Sequence, residues 1–324
     1  MRADGVNHAG TTAWVRRGAN GRKGAMAARK PMDWKAMLGA ALLLGAAAPG
    51  ASGDPLPQLD FLPWRSPREA MPRKVTVPVP PPARGVRLPR IRGAAGRPLV
   101  VIDAGHGGGD PGAINPATGL REKDVTLKIA RAIRDALVEG GRARVALTRD
   151  DDRFIVLRER FGIARRLKAD LFISVHCDSV GTGTPTGATA YTLSDVASDR
   201  EAARLAAREN RADVIAGVTL DRDPDVSSIL IDLTQRETMN ASAGFARLLG
   251  REARPLIATK SNFHRTASLM VLKAPDMPSI LFETGYISTA SDAAFLDSDE
   301  GRAKIAESVR RAVDVYFARR MAER

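Results

Sequence analysis

From Pro98 onward the spacing of apolar residues alternates between two patterns. Leu99-Val100-Val101-Ile102 is an unbroken apolar run, the signature of a strand buried on both faces. Val125, Ile129, Ala132, Ile133 and Leu137 then recur at helical spacing, and Gly140-Gly141 closes that helix. The same reading predicts a strand over 144–148, a helix over 157–168, and strands over 171–175 and 187–193. Strands over 269–272 and 279–282 follow, with a closing helix over 302–319. Such alternation predicts an α/β fold: one domain over 98–320, with a mostly parallel central sheet flanked by helices. The stretch Asp195–Leu249 breaks the rhythm. It reads as a helix over 199–212, a loop with Gly217 and Asp221–Asp225, and a second helix from about Ser227. An insertion of this length between sheet elements points to a function of its own.

Ahead of Pro98 the pattern is of another kind. Eight Lys or Arg in residues 1–36 precede the apolar run Met37–Ala48, which Pro49-Gly50 stops and Ala51-Ser52-Gly53 follows. That run is shorter than the roughly 20 residues that cross a bilayer. Residues 1–53 therefore read as a secretory leader cleaved near Asp54, with an uncleaved inner-membrane anchor as the rival reading. Translation from Met26 or Met32 would shorten it. Residues 54–97 are rich in Pro and Arg and read as an extended linker.

Charge follows the same division. The chain of 324 residues carries a net +13, yet residues 1–95 hold 16 bases against 5 acids and the other 229 residues hold 34 against 32. The basic excess belongs to the leader and linker, so the folded region lacks the electrostatic footprint of a nucleic-acid binder. One cysteine excludes an intramolecular disulfide framework and a cysteine-built zinc finger.

The candidate chemistry lies at the ends of the predicted strands. Asp103-Ala104-Gly105-His106-Gly107-Gly108-Gly109-Asp110-Pro111-Gly112 follows the first strand. It lacks the Lys-Ser/Thr ending of a P-loop, and Asp110 stands where a dinucleotide fingerprint needs its third glycine. What remains is a histidine in a loop kept free of side chains. His176 ends the strand over 171–175, Glu283 ends the strand over 279–282, and Glu122 opens the first helix. In open α/β sheets that edge is where sites form. Two His and a carboxylate leave a zinc ion one position for water, and a second Glu can act as general base. Neither H-E-x-x-H nor G-x-S-x-G occurs. Cys177 adjoins His176, but strand neighbours face opposite ways, so it reads as a buried small residue. His264 falls in a loop, 261–265, expected to line the cleft; His8 lies in the leader.

The segments VIDAGHGGGDPGA, GLREKDVTL, ISVHCDS and ILFETGYIS together resemble the zinc-dependent N-acetylmuramoyl-L-alanine amidases, in particular those of bacterial cell division. The resemblance implies one Zn²⁺ per chain, with His106, Glu122 and His176 as its ligands and Glu283 as the catalytic glutamate. It implies hydrolysis of the amide between N-acetylmuramic acid and the L-alanine of the stem peptide; the secretory leader makes the periplasm the expected compartment. The segments DREAARLAARENRADVIAG and SSILIDLTQRETMNAS resemble the helical element that covers the zinc cleft in division-type members. By that likeness the insertion 195–249 is regulatory, and Glu209 is the candidate plug, ahead of Glu201 and Glu237. A plug implies an activator, in the family a catalytically degenerate metallopeptidase-like (LytM-type) protein at the septum. The second helix offers Ile229, Leu230, Ile231, Leu233, Met239 and Phe245 for packing and for such a partner. Cys177 and Thr289 depart from the family pattern, and residues 54–97 are too short and Pro-rich for the peptidoglycan-targeting β-domain of many relatives. Two other readings stay open: a wall-binding module without activity, and a hydrolase of another envelope amide. Nothing in the sequence calls for more than a monomer.

Overall fold

The computed structural model describes residues 87–215 and 229–322. The predicted leader, most of the linker and the Gly217 and Asp221–Asp225 segment lie outside these residues, as do the side chains of Ile229, Leu230, Ile231 and Leu233.

The chain order is β1 (Leu99–Ala104), α1 (Glu122–Glu139), β2 (Arg144–Leu147), α2 (Leu157–Arg166), β3 (Leu171–Asp178) and β4 (Ala188–Leu193). Then come α3 (Arg200–Glu209), α4 (Ala212–Ile215), α5 (Ile229–Ala253), β5 (Thr259–Ala267), β6 (Ser279–Tyr286), α6 (Ala290–Asp297) and α7 (Asp299–Ala322). The six strands form one sheet in the order β2-β1-β3-β6-β4-β5. All neighbours are parallel except β4 and β6, which are antiparallel. The expected α/β architecture with a mostly parallel sheet is what forms.

β1, β3 and β6 are buried along their whole length, which explains the apolar runs within them. On one face Val125, Ile129, Ile133 and Leu137 of α1 pack with Phe245 and Leu249 of α5 and Val309 and Val313 of α7. The carboxyl-terminal half of α5 is thus part of the main core. On the other face Phe172, Tyr191 and Leu281 meet Leu157 of α2, Leu205 of α3 and the 3₁₀ turn Met270–Leu272.

That turn corrects the strand expected over 269–272: its apolar residues pack against α2-side neighbours outside the ladder. The strand is instead β5, read in sequence as containing a cleft loop. As the terminal strand of the sheet it buries only Phe263 and Ala267, so its sequence carries little apolar signal. Among the described residues no helix is long and apolar enough to cross a membrane.

Candidate active site

The loop after β1 carries His106 in the left-handed region, φ 62°, a costly conformation for a residue with a side chain. Its flanking glycines are steric requirements. A Cβ on Gly105 would come within 2.5 Å of the His176 ring, and one on Gly112 within 2.7 Å of both Glu122 Oε2 and the His106 ring. The loop backbone is held from below by two buried arginines. Arg149 donates to the carbonyls of Ala104, Gly105 and Lys123, and Arg160 to those of Ala104 and His106, and to Asp103 Oδ1. Burial and the neighbouring Arg160 charge pull Arg149 down to about 10.

Glu122, the first residue of α1, is fully buried. Its Oε2 accepts the Ala113 N–H at 2.8 Å and its Oε1 the Cys177 N–H at 2.9 Å. The same Oε1 lies 3.0 Å from His106 Nε2 and 3.1 Å from His176 Nδ1. The two rings meet edge to face with centroids 4.8 Å apart. Glu209, the last residue of α3, closes the group from above: its Oε2 is 3.1 Å from His176 Nδ1 and 3.4 Å from His106 Nε2. Glu283 pairs with His176 across β3 and β6 and is buried, with neither carboxylate oxygen hydrogen-bonded. His106, Glu122, His176, Glu209 and Glu283 are therefore brought together. Of the other plug candidates, Glu201 faces Lys260 and Arg265, and Glu237 is exposed.

The charges define the chemistry. Burial opposes a charge on His106, but Glu122, Asp110 and Glu209 outweigh it and hold the imidazole up at about 9. His176 is raised well above its usual range against the same burial, by Glu209 and Glu122. Glu209 is pulled down to about 2: the two imidazoles and Arg208 overcome its desolvation. Glu283 moves the other way, raised first by burial and then by Asp178, Glu209 and Glu122. Carboxylates gathered about two imidazoles in a buried place make a site built for positive charge. His106 Nε2 and Glu209 Oε2 are buried without hydrogen bonds, and the ligating atoms of His106, His176 and Glu209 lie within 4.8 Å of one another. This is a group that can hold a metal ion, and its nitrogen and oxygen donors are of the kind zinc accepts.

Sequence reasoning missed Asp110. Its Oδ2 lies 2.7 Å from His106 Nδ1, which fixes that ring and leaves Nε2 facing the site. The signal was present: an acid four residues after a histidine in a glycine loop. Arg149 and Arg160 gave no such signal, since nothing in their spacing marks them as buried. Cys177 is buried with its sulfur 3.4 Å from Thr284 Oγ1, in the core opposite the site. His264 does not line the cleft. It lies beside Ala190 on the α5 side of the sheet, bonded to Thr192 Oγ1.

Over residues 100–315 the sequence matches the Amidase_3 family, described as N-acetylmuramoyl-L-alanine amidase. The chain belongs to this family. N-acetylmuramoyl-L-alanine amidase AmiC of Escherichia coli O6:H1 is 36% identical over 74% of this chain and 57% of its own length. Amidase AmiA of Escherichia coli strain K12 is 36% identical over 72% of this chain and 81% of its own. The chain thus spans a little over half of AmiC. In structure, the amidase AmiC2 of Nostoc punctiforme superposes with a TM-score of 0.52 at 29% identity, covering 69% of this chain and 99% of that one. The amidase fold accounts for the six-stranded sheet and the helices on its faces.

Proposed function

We propose that this chain is a zinc-dependent peptidoglycan amidase that cleaves the amide between N-acetylmuramic acid and the L-alanine of the stem peptide, and that α3 holds it inactive. The observation that carries the activity is the convergence of His106 Nε2, His176 Nδ1 and Glu122 Oε1 beside the Glu283 carboxylate, which accepts no hydrogen bond and has Arg208 Nη2 4.0 Å away. Held by His106, Glu122 and His176, zinc would supply Lewis acidity, drawing the pKa of a water toward about 7 and polarising the scissile carbonyl. Glu283 takes a proton from the attacking water and returns it to the alanine nitrogen as the carbon–nitrogen bond breaks. Its raised proton affinity suits both transfers. Asp110 keeps the His106 tautomer in which Nε2 is the free nitrogen. Arg149 and Arg160 keep the loop carbonyls turned away from the cleft.

The autoinhibitory reading is supported by Glu209, whose buried carboxylate stands where substrate would have to approach the two imidazoles. Arg208 braces it, bonding Glu209 Oε1, Asp178 Oδ1 and the Ser179 carbonyl. Activation then requires a partner that lifts α3, for which a LytM-type activator at the septum is the candidate. Residues 1–53 would direct export to the periplasm, residues 54–97 would tether the catalytic region 98–320, and the protein would work as a monomer in septal splitting.

Mass spectrometry of products tests this. Peptidoglycan is incubated with the zinc-loaded chain, with Glu209→Ala and with Glu283→Ala. We expect free stem peptides that begin at L-alanine, most from Glu209→Ala and none from Glu283→Ala. Shortened peptides still attached to sugar would overturn the assignment in favour of a peptidase.

A further inference from the structure

Glu201, Leu205 and Glu209 recur every four residues and so form one stripe of α3. Eight residues of helix set the two glutamates about 12 Å apart along the axis. Glu209 meets the imidazoles, and Glu201 meets a second set of donors: Lys260 Nζ at 2.5 Å, Arg265 Nη1 at 2.6 Å and the Tyr286 hydroxyl. Lys260 and Arg265 are only 14% and 12% exposed, so these are seated side chains and not free surface cations.

Arg265 Nε and Tyr191 Oη are buried in the same place, with Tyr191 entirely enclosed and its hydroxyl beside the Arg265 guanidinium. Arg265 is beside Tyr191 across β4 and β5, and Tyr191 is beside Leu281 across β4 and β6. Leu281 is two residues before Glu283, which puts this group and the candidate catalytic glutamate on one face of the sheet. Three donors from β5 and β6 converge on the Glu201 carboxylate, and Arg265 also reaches Asp199 Oδ1 at 3.6 Å.

We propose that Lys260, Arg265 and Tyr286 form a carboxylate-binding subsite for an acidic group of the stem peptide, which Glu201 occupies while α3 is closed. The proposal rests on the reading of α3 as a removable cover. At about 3.3–3.6 Å per extended residue, 12 Å places the bound carboxylate three to four residues beyond the scissile amide. α3 thereby presents one carboxylate at the metal ligands and another at the peptide subsite.

Binding is measured by calorimetry on the full chain carrying Glu201→Ala and Glu209→Ala. The probes are the tripeptide L-Ala-γ-D-Glu-diaminopimelate and its fully amidated counterpart. The acid should bind about tenfold more tightly than the amide. Adding Arg265→Gln, which removes the planar fork that can hold both carboxylate oxygens, should abolish that preference, and adding Lys260→Met should weaken it while leaving the melting temperature unchanged. Equal affinity for acid and amide, or no binding of either up to millimolar concentration, overturns the subsite. So does a result in which Arg265→Gln and Lys260→Met raise basal peptide release from the otherwise natural chain yet leave the acid-to-amide ratio alone, since the cations would then only fasten α3. These titrations need no turnover: failure of Glu209→Ala to release stem peptides would count against the amidase reading and not against the subsite.

Discussion

α1 and α3 each deliver a glutamate to the same two imidazoles, and they are attached to the molecule in different ways. α1 buries Val125, Ile129, Ile133 and Leu137 in the main core, each worth about 1.5–3 kcal/mol of apolar burial. Its Glu122 also accepts two backbone N–H groups, from Ala113 and Cys177. α3 has ten residues and buries one large apolar side chain, Leu205, beside Ala202 and Ala206. The Glu209 carboxylate is held by the Arg208 guanidinium and by the imidazoles, and Glu201 by Lys260, Arg265 and Tyr286. One helix is fixed by hydrophobic packing and the other by polar contacts that water or a partner can replace. A ligand to be kept and a ligand to be withdrawn thus differ in their anchorage, although their side chains are identical.

The sharpest way to break this comparison is to remove each carboxylate in turn. Glu122→Ala strips a buried partner from two N–H groups and two imidazoles, so it should destabilise the chain by about 3–5 kcal/mol and abolish zinc retention. Glu209 lacks the two backbone N–H bonds that Glu122 accepts, so Glu209→Ala should cost less, about 1–3 kcal/mol, and raise peptide release. Denaturant unfolding with a zinc assay reads both, and similar losses in the two variants would end the distinction. Next in size is Asp110→Asn, which keeps the shape of the His106 partner but not its charge. Zinc affinity, measured by chelator competition, should fall about 10–100-fold; an unchanged affinity would reduce Asp110 to a loop residue.

Arg208→Gln removes the brace from Glu209 without touching the imidazoles. It should raise basal peptide release several-fold, and a fall would mean that Arg208 serves the reaction directly. The smallest effect concerns acid. Burial works against ionisation of Glu201, but Arg265, Lys260 and Tyr286 hold it down at about 2. A carboxylate lowered on folding stabilises the closed state above its ordinary value of 4.5, and that contribution is lost as pH falls toward about 2. Protection of the α3 amides, relative to the intrinsic exchange rate at each pH, should therefore fall across that window in the natural chain and be less pH-dependent in Glu201→Gln. Equal pH dependence in both would remove Glu201 from the fastening of α3.

Which residues were visible in the sequence has a physical basis. His106, Glu122, His176 and Glu283 stand out because strand and helix periodicities assign each to an element end, and in a parallel sheet those ends share an edge. β5 was not visible, because a strand at the sheet edge with few buried positions reads as a polar loop. The buried arginines were not visible either. Charged residues are enclosed only where carbonyls such as those of Ala104 and His106 converge on them, and that convergence is formed by segments distant in the chain.

The sequence by itself determined the alternation of strands and helices, the edge of the sheet that carries the chemistry and the residue types gathered there. Each of these depends on spacing along the chain or on side-chain identity. Tertiary structure alone decided that Asp110 turns to His106, that Arg149 and Arg160 underpin the loop, and that the stripe of α3 sets Glu209 on the imidazoles and Glu201 on Lys260 and Arg265. Most of those contacts join residues distant in the chain, and no local periodicity encodes which distant donor will meet which carboxylate.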